Sequence, residues 1–288
     1  MPLLFEGNEM PECKQYDPES TARYFDDYGE REWQRLVSNP VNEISLFLHT
    51  HYLSKYVHAG MRVLEIGAGA GRFTQVLAGL GARVVVGDIS AGQLELNRGH
   101  ALELGFAAAV EDWAQVDICE LGRYSAGQFD AVVAYGGPFS YALDRRDDAL
   151  RECRRVLKPG GVLLLSVMCL WGTVRRSLRE VLVNTPVQAN QRIIATGDIS
   201  PATYPDRPNS YMHLFRGQEL KTWLREGGLE VLDLSASGCL AAGWESVLEP
   251  LRADPLLWGE LLRMDLEASC QPGCLEMGTH MIAVTRKA

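Results

Sequence analysis

Residues 63–72 read Val63-Leu-Glu-Ile-Gly-Ala-Gly-Ala-Gly-Arg72. An apolar run of strand length stops abruptly in three alternating glycines, and a helical pattern follows to Gly79. The run from Met61 to Ile66 is short and apolar, which predicts a buried strand. Glycine lets the backbone turn sharply and lets a ligand approach without meeting a Cβ. The helix that opens after the glycines offers its free amide groups to that ligand. A second strand at 83–88 ends in Asp88, 21 residues after Gly67.

Outward from these strands the alternation continues. Ser90, with Gln93 three residues on, is a capping-box pair opening a helix to about Leu104. Strands are predicted at 106–110, 128–134 and 162–168, with a helix over 144–157 closed by the breaker cluster Lys158-Pro-Gly-Gly161. Continuous apolar strands alternating with helices predict a parallel sheet covered on both faces. Over 171–215 the rhythm breaks: this stretch holds Pro186, Pro201, Pro205 and Pro208 and no clean period, and reads as a cap or lid. A helix at 217–226 stopped by Gly227-Gly228 and a strand at 229–234 restore it. A second insertion over 241–274 carries an amphipathic helix near 256–266, and a last strand spans 280–285.

Upstream, Asn39 caps and Pro40 opens a helix to about Val57. Before it, Tyr24-Phe-Asp-Asp-Tyr28 and Trp33 form an aromatic segment that is either core packing or a flap over a ligand. The organisation read from this is an N-terminal helical or lid segment, 1–58, and a main unit, 59–288, with insertions at about 171–215 and 241–274.

Composition narrows the function classes. The 288 residues are 47% hydrophobic and 23% charged, ordinary for a globular chain, and no apolar run reaches spanning length. The N-terminus lacks a basic start and an apolar core, so no signal peptide is expected. The net charge of −9 repels phosphate backbones, and the arginines near 151–155 and 175–179 read as solvated helix faces. Nucleic acid and membrane are therefore not expected partners. Seven irregularly spaced cysteines argue against a disulfide scaffold and for a reduced, cytoplasmic setting. Cys270 and Cys274 lack the second pair that would complete a zinc site, so no metal is expected.

Two cofactor classes use a glycine loop followed by an acid, whose carboxylate suits a ribose diol. The dinucleotide fingerprint is G-x-G-x-x-G. Here the third glycine comes one residue early, and Glu65 stands two residues before the first. A carboxylate there would repel a pyrophosphate and would suit a sulfonium and ammonium ligand, which favours S-adenosylmethionine over NAD.

Glu65-x-Gly67-x-Gly69-x-Gly71 with Asp88 resembles the first motif and following acid of the class I S-adenosylmethionine-dependent methyltransferases. Glu111-Asp112-Trp113 is similar to the family's adenine-binding position, 129–134 to the strand leading to the active-site edge, and Leu157-Lys-Pro-Gly-Gly161 to the turn before strand five. The likeness covers about 61–168 and the closing strands. It implies a Rossmann-like α/β fold: a seven-stranded mixed sheet in the order 3-2-1-4-5-7-6, the last strand antiparallel, with helices on both faces and the cap insertion after strand five. It also implies S-adenosylmethionine as methyl donor and S-adenosylhomocysteine as product. The cofactor-binding residues it implies are Tyr28, Glu65, Gly67, Ala68, Gly69, Gly71, Asp88, Ile89, Asp112, Trp113, Tyr135 and Gly136.

The Asn/Asp-Pro-Pro-aromatic run of amino-methylating nucleic-acid enzymes is absent after strand four, where the chain reads Ala134-Tyr-Gly-Gly-Pro-Phe-Ser-Tyr141. The acid pattern of metal-dependent catechol-type enzymes and the paired-glutamate loop of protein arginine enzymes are absent too. What remains is metal-independent in-line transfer to a small molecule through O, N or C. The alternatives are a non-catalytic cofactor-binding partner subunit and an NAD-linked oxidoreductase. His213 is the candidate general base, with a hydrogen-bonded structural histidine as the alternative; the other histidines read as surface or strand-end residues. The insertion at 171–215, with Trp171, Arg175, Arg176, Arg192, Tyr204, Tyr211 and His213, is expected to close over a small acceptor together with Tyr24 to Trp33, a structural flap or dimer contact being the alternative. A homodimer is left open.

Overall fold

The computed structural model describes residues 16–200 and 211–288. Tyr204 and three of the insertion's prolines lie outside them. The chain opens with α1 (Pro18–Tyr28), α2 (Arg31–Arg35) and α3 (Pro40–Tyr56). Asp17 caps α1 by accepting from Ser20 N, and Asn39 caps α3 by accepting from Asn42 N; each helix has proline in its first turn. Then come β1 (Arg62–Ile66), α4 (Arg72–Gly79), β2 (Arg83–Asp88), α5 (Ala91–Glu103), β3 (Val110–Gln115), β4 (Phe129–Ala134), α6 (Pro138–Tyr141), α7 (Arg146–Val156) and β5 (Leu157–Met168).

The first insertion folds as α8 (Leu170–Arg176), α9 (Leu178–Val183), α10 (Val187–Thr196) and a ribbon of β6 (Asp198–Ile199) with β7 (Met212–His213). After α11 (Gly217–Glu226) and β8 (Leu229–Ala236), the second insertion forms α12 (Glu245–Leu251) and α13 (Pro255–Ser269), and β9 (His280–Lys287) closes the chain. The buried Asp265 of α13 anchors this insertion by accepting from the backbone amides of Cys239, Leu240 and Ala241 and from Ser269 Oγ.

The sheet order is β3-β2-β1-β4-β5-β9-β8, with β9 antiparallel to both neighbours. Counting only sheet strands, this is the 3-2-1-4-5-7-6 order expected from the resemblance. Two apolar layers cover the faces: Leu64, Val132 and Leu163 point into one with Phe129 and Phe139, and Val63, Val133 and Leu164 into the other with Leu48 and Leu53 of α3. Successive strand residues alternate between the layers, so the central strands are apolar throughout.

The third strand is displaced from its predicted place. Residues 107–109 form a single 3-10 turn, and the strand starts at Val110. As an edge strand beside β2 alone, β3 tolerates Glu111, Asp112 and Gln115, so an apolar run was the wrong signal for it. The carboxyl end of the strand therefore lies at Gln115, not at Val110.

Candidate functional site

The glycine loop leaves β1 with Gly67, Gly69 and Gly71 all at positive φ (69°, 54° and 100°), a region side chains rarely adopt. Beneath it runs a buried polar chain. Trp113 Nε1 donates to Asn97 Oδ1 (3.0 Å), Asn97 Nδ2 donates to Gly69 O (3.2 Å) and Thr74 Oγ1 (2.9 Å), and Thr74 Oγ1 donates to Glu65 Oε2 (2.6 Å). Burial pushes the Glu65 carboxyl up to about 8; the Thr74 bond pulls it down, and the Asp88 charge raises it further. Glu65 and Trp113 thus hold the loop from below and do not line the cavity above it.

That cavity measures about 240 Å³. Its floor is the carboxyl edge of the sheet: Gly67 and Gly69 after β1, Asp88 and Ile89 after β2, Val116 and Ile118 after β3, Tyr135 and Gly136 after β4, Met168 ending β5. Ligands of open α/β sheets collect at this edge. Asp88 is 5% exposed; its Oδ2 accepts from Gly69 N and its Oδ1 from Ser90 N, both at 2.8 Å. Burial raises its pKa to about 6, the bonds from Ser90 and Gly69 opposing that.

The roof is α1 and α2, which contribute Thr21, Tyr24, Phe25, Tyr28, Glu32 and Arg35. Asp26 fastens α1 to α5 by accepting from Ser90 Oγ and Gly92 N, and Gln93 Nε2 donates to Phe25 O and Gly29 O. Trp33 is held between the His100 ring (4.0 Å) and the Arg72 guanidinium (3.6 Å). The aromatic segment 24–33 is thus a cover over the cavity.

On the far side of Gly67 lies a pocket of about 20 Å³ lined by Glu32, Arg35, Arg72 and Tyr135 among others. Tyr135 Oη and Arg72 Nε are buried there without a hydrogen-bond partner, and unpaired buried donors are costly. Arg35 pairs with Glu32 through Nε and Nη2 (2.7 Å at the shortest); burial opposes its charge, but Glu32 more than offsets that and holds it protonated.

Of the residues expected to bind cofactor, Tyr28, Gly67, Gly69, Asp88, Ile89, Tyr135 and Gly136 line the cavity, and Ala68 lines the smaller pocket. Gly71 is the N-cap of α4. Asp112 is a correction: it lies inside β3, half-exposed, and pairs with Arg123 at 3.1 Å. With the strand end at Gln115, the residues that follow it into the cavity lining are Val116 and Ile118, flanking Asp117, whose Oδ1 accepts from Tyr16 Oη (3.0 Å) and Cys119 N. Sequence reasoning missed Glu32, Arg35, Tyr141 and His280 as lining residues. His280 stands at the start of β9 and is registered against Met168, a neighbourhood visible only once the last strand is paired with β5.

His213 does not line the cavity either. It is 3% exposed, with Nδ1 2.7 Å from Asp198 Oδ1 and Nε2 2.6 Å from Glu219 Oε1, which ties the β6–β7 ribbon to α11. Burial lowers its pKa, but the two carboxylates outweigh burial and the net shift is upward. A raised folded pKa gives stability that is full below the unfolded value of about 6.5 and is lost as pH rises through the folded one. His213→Gln is expected to lower the melting temperature more at pH 6 than at pH 9 and to leave cofactor affinity within twofold. A collapse of turnover with unchanged stability would restore it as a base.

The described part of the 171–215 insertion also stays off the main cavity. Among the described residues no group of three His, Cys, Asp or Glu side chains is arranged to hold a metal, and no helix is long and apolar enough to cross a membrane.

The donor set fits an S-adenosyl group. Asp88 presents a carboxylate for a diol, Val116 and Ile118 an apolar slot for a ring, and the unpaired Tyr135 and Arg72 donors, with Glu32 and Arg35, a place for a zwitterionic end.

Comparison with known proteins agrees. The methyltransferase-domain family matches residues 64–165. A ubiquinone biosynthesis O-methyltransferase of Nitrosococcus oceani is 28% identical over 221 residues, 76% of this chain and 84% of that one. The protein of the same name from Xanthomonas axonopodis pv. citri is 30% identical over 191 residues, 65% of this chain and 70% of its own. Among solved structures, a Burkholderia thailandensis 1,6-didemethyltoxoflavin-N1-methyltransferase with bound 1,6-didemethyltoxoflavin and S-adenosylhomocysteine superposes with a TM-score of 0.57 at 15% identity, covering 96% of this chain and 93% of its own.

Proposed function

The chain belongs to the class I S-adenosylmethionine-dependent methyltransferases, and from that premise we propose that it methylates a hydroxyl oxygen of a small aromatic acceptor without a metal. The observation that carries this reading is the cavity end beyond Gly136, where Tyr24, Phe25, Tyr28 and Tyr141 gather beside Met168 and His280. Such rings pack well on a flat aromatic partner. The names of the two relatives point the same way.

When bound, the cofactor supplies an electrophilic methyl whose leaving group is a neutral thioether, so neither a general acid nor a Lewis acid is needed to expel it. The protein's work is positioning, which supplies up to about 7–11 kcal/mol of such a barrier. Asp88 and the Val116–Ile118 slot would hold the adenosyl end, and Tyr135, Arg72, Glu32 and Arg35 the amino-acid end. Tyr141 and the α1 rings would set the acceptor plane and exclude water. Burial and the nearby Arg35, His49 and Arg176 hold His280 at about 3, so it stays neutral and serves as a hydrogen-bonding partner for the acceptor. The six described cysteines are all free, which supports a cytoplasmic setting.

Two measurements test the reading. Calorimetry should show micromolar binding of S-adenosylhomocysteine, about −8 kcal/mol, with NAD far weaker. Labelled methyl from the cofactor should reach oxygen in a panel of catechols and phenols; label found only in amines would overturn the O-methyl assignment.

The cover has its own signature. On binding S-adenosylhomocysteine, amide-exchange protection is expected to rise in α1 and α2 and to stay unchanged in α9 and α10. The reverse pattern would make the 171–215 insertion the lid.

A further inference from the structure

Behind the aromatic end of the main cavity lies a third, of about 40 Å³. Arg35 and His280 line both, so the two cavities adjoin at these residues. Its other polar lining residues are Asn42, Ser45, Arg176, Ser237 and Thr279. Among the described residues no carboxylate lines it. In a chain of net charge −9 this is a donor-rich hollow with two guanidinium groups and no acid of its own. The volume is a few times the roughly 10–15 Å³ that one water needs, which suits a carboxylate.

The two cations are only partly committed. Arg35 binds Glu32 through Nε and Nη2, which leaves Nη1 outside those bonds. Arg176, at the end of α8, reaches Glu245 of α12 at 3.5 Å, longer than an ordinary charge-assisted hydrogen bond. That pair is about one-third exposed and worth little by itself, so a better-placed anion can compete for the guanidinium. Arg176 is also where the two insertions meet beside the cavity. His280 Nδ1 lies 3.2 Å from Thr279 Oγ1, and the backbone N–H of His280 donates to Ser237 Oγ at 3.2 Å, which holds His280 where the cavities adjoin. The positive surroundings also register on His280 itself, whose protonation Arg35 and Arg176 oppose after burial.

We propose that this small cavity is an anion subsite for the methyl acceptor: the acceptor carries a carboxylate that lies against Arg176 and Arg35, while its nucleophilic oxygen faces the main cavity across His280. The inference rests on the O-methyltransferase reading and narrows its acceptors to hydroxylated aromatic acids. It also gives the first insertion a role, since Arg176 reads the acceptor's charge without roofing the cofactor.

The test uses the full chain saturated with S-adenosylhomocysteine and titrated calorimetrically with 3,4-dihydroxybenzoate or its methyl ester. The two probes share the ring and hydroxyls and differ in the charge. The acid is expected to bind at least tenfold more tightly than the ester. Arg176→Gln should remove that preference while leaving ester and S-adenosylhomocysteine affinity within twofold, and Arg176→Lys should keep most of it. Melting temperatures of the variants check that the fold is retained. Equal affinity for acid and ester, no binding of the acid, or a preference that survives Arg176→Gln would overturn the subsite. A wild-type chain that fails to bind S-adenosylhomocysteine would instead overturn the methyltransferase reading beneath it.

Discussion

Gly67→Ala is expected to cost at least about a hundredfold in cofactor affinity, roughly 2.8 kcal/mol, and turnover should fall with it. A Cβ built at this position would stand 2.5 Å from Pro138 Cγ, whereas carbon contacts are comfortable at about 3.5–4.0 Å. Pro138 opens α6 directly after the β4 loop, and its ring cannot rotate aside. The backbone compounds the clash, because φ is +69° and a left-handed residue with a Cβ costs roughly 1–2 kcal/mol. The loop must therefore move by about an ångström where it separates the main cavity from the pocket holding the Tyr135 and Arg72 donors. Gly79→Ala is the control: its added Cβ meets nothing within 4 Å, so binding should be unchanged and α4 slightly more stable. Calorimetric titration of both variants with S-adenosylhomocysteine decides it; a Gly67→Ala protein that binds normally would remove the loop from the cofactor site.

The second large effect is at Asp88. Asp88→Ala removes a charged acceptor and should weaken cofactor binding by about 1.5–3 kcal/mol, about 10- to 150-fold. An acid at a strand end need not belong to the core, and its loss would then spare the fold. The structure changes that expectation: Asp88 also receives the Gly69 and Ser90 amides. Removing it leaves both amides unpaired, so the melting temperature should fall too, and Asp88→Asn should recover part of that fall.

The pH dependence has two opposite signs. An acid whose folded pKa is raised to about 6 favours the ligand-free fold at low pH, and this contribution fades as pH rises through 6. Cofactor affinity runs the other way, because the ribose hydroxyls need the carboxylate: it should drop about tenfold per unit below pH 6. Asp88→Asn should flatten that slope. A wild-type slope that persists in the Asn variant would assign the titration to another group.

Strands β1 and β2, the glycine turn and Asp88 were legible because central strands are apolar on both faces and end in residues chosen by geometry. β3 was not, because an edge strand can carry Glu111, Asp112 and Gln115, and misplacing its end put Asp112 where Val116 and Ile118 stand, at the sheet's carboxyl edge. Glu65 was found in sequence, but its direction was not: only the fold shows it turned beneath the loop to Thr74. The covering role of α1 depends on Asp26 and Gln93, which join elements 64 to 68 residues apart. No local pattern encodes such a pairing. His213 looked catalytic beside a helix start, yet Glu219, six residues on and within that helix, was a visible hint of its salt-bridged role.

A crystal structure of the chain with S-adenosylhomocysteine would place each end of the cofactor against the cavity. The adenine is expected between Val116 and Ile118, the ribose hydroxyls on Asp88, and the amino-acid end at the Tyr135 and Arg72 donors across Gly67, with α1 closed above. An adenine lying over Asp112 and Trp113, or a ligand seated against the β6–β7 ribbon and His213, would contradict that placement.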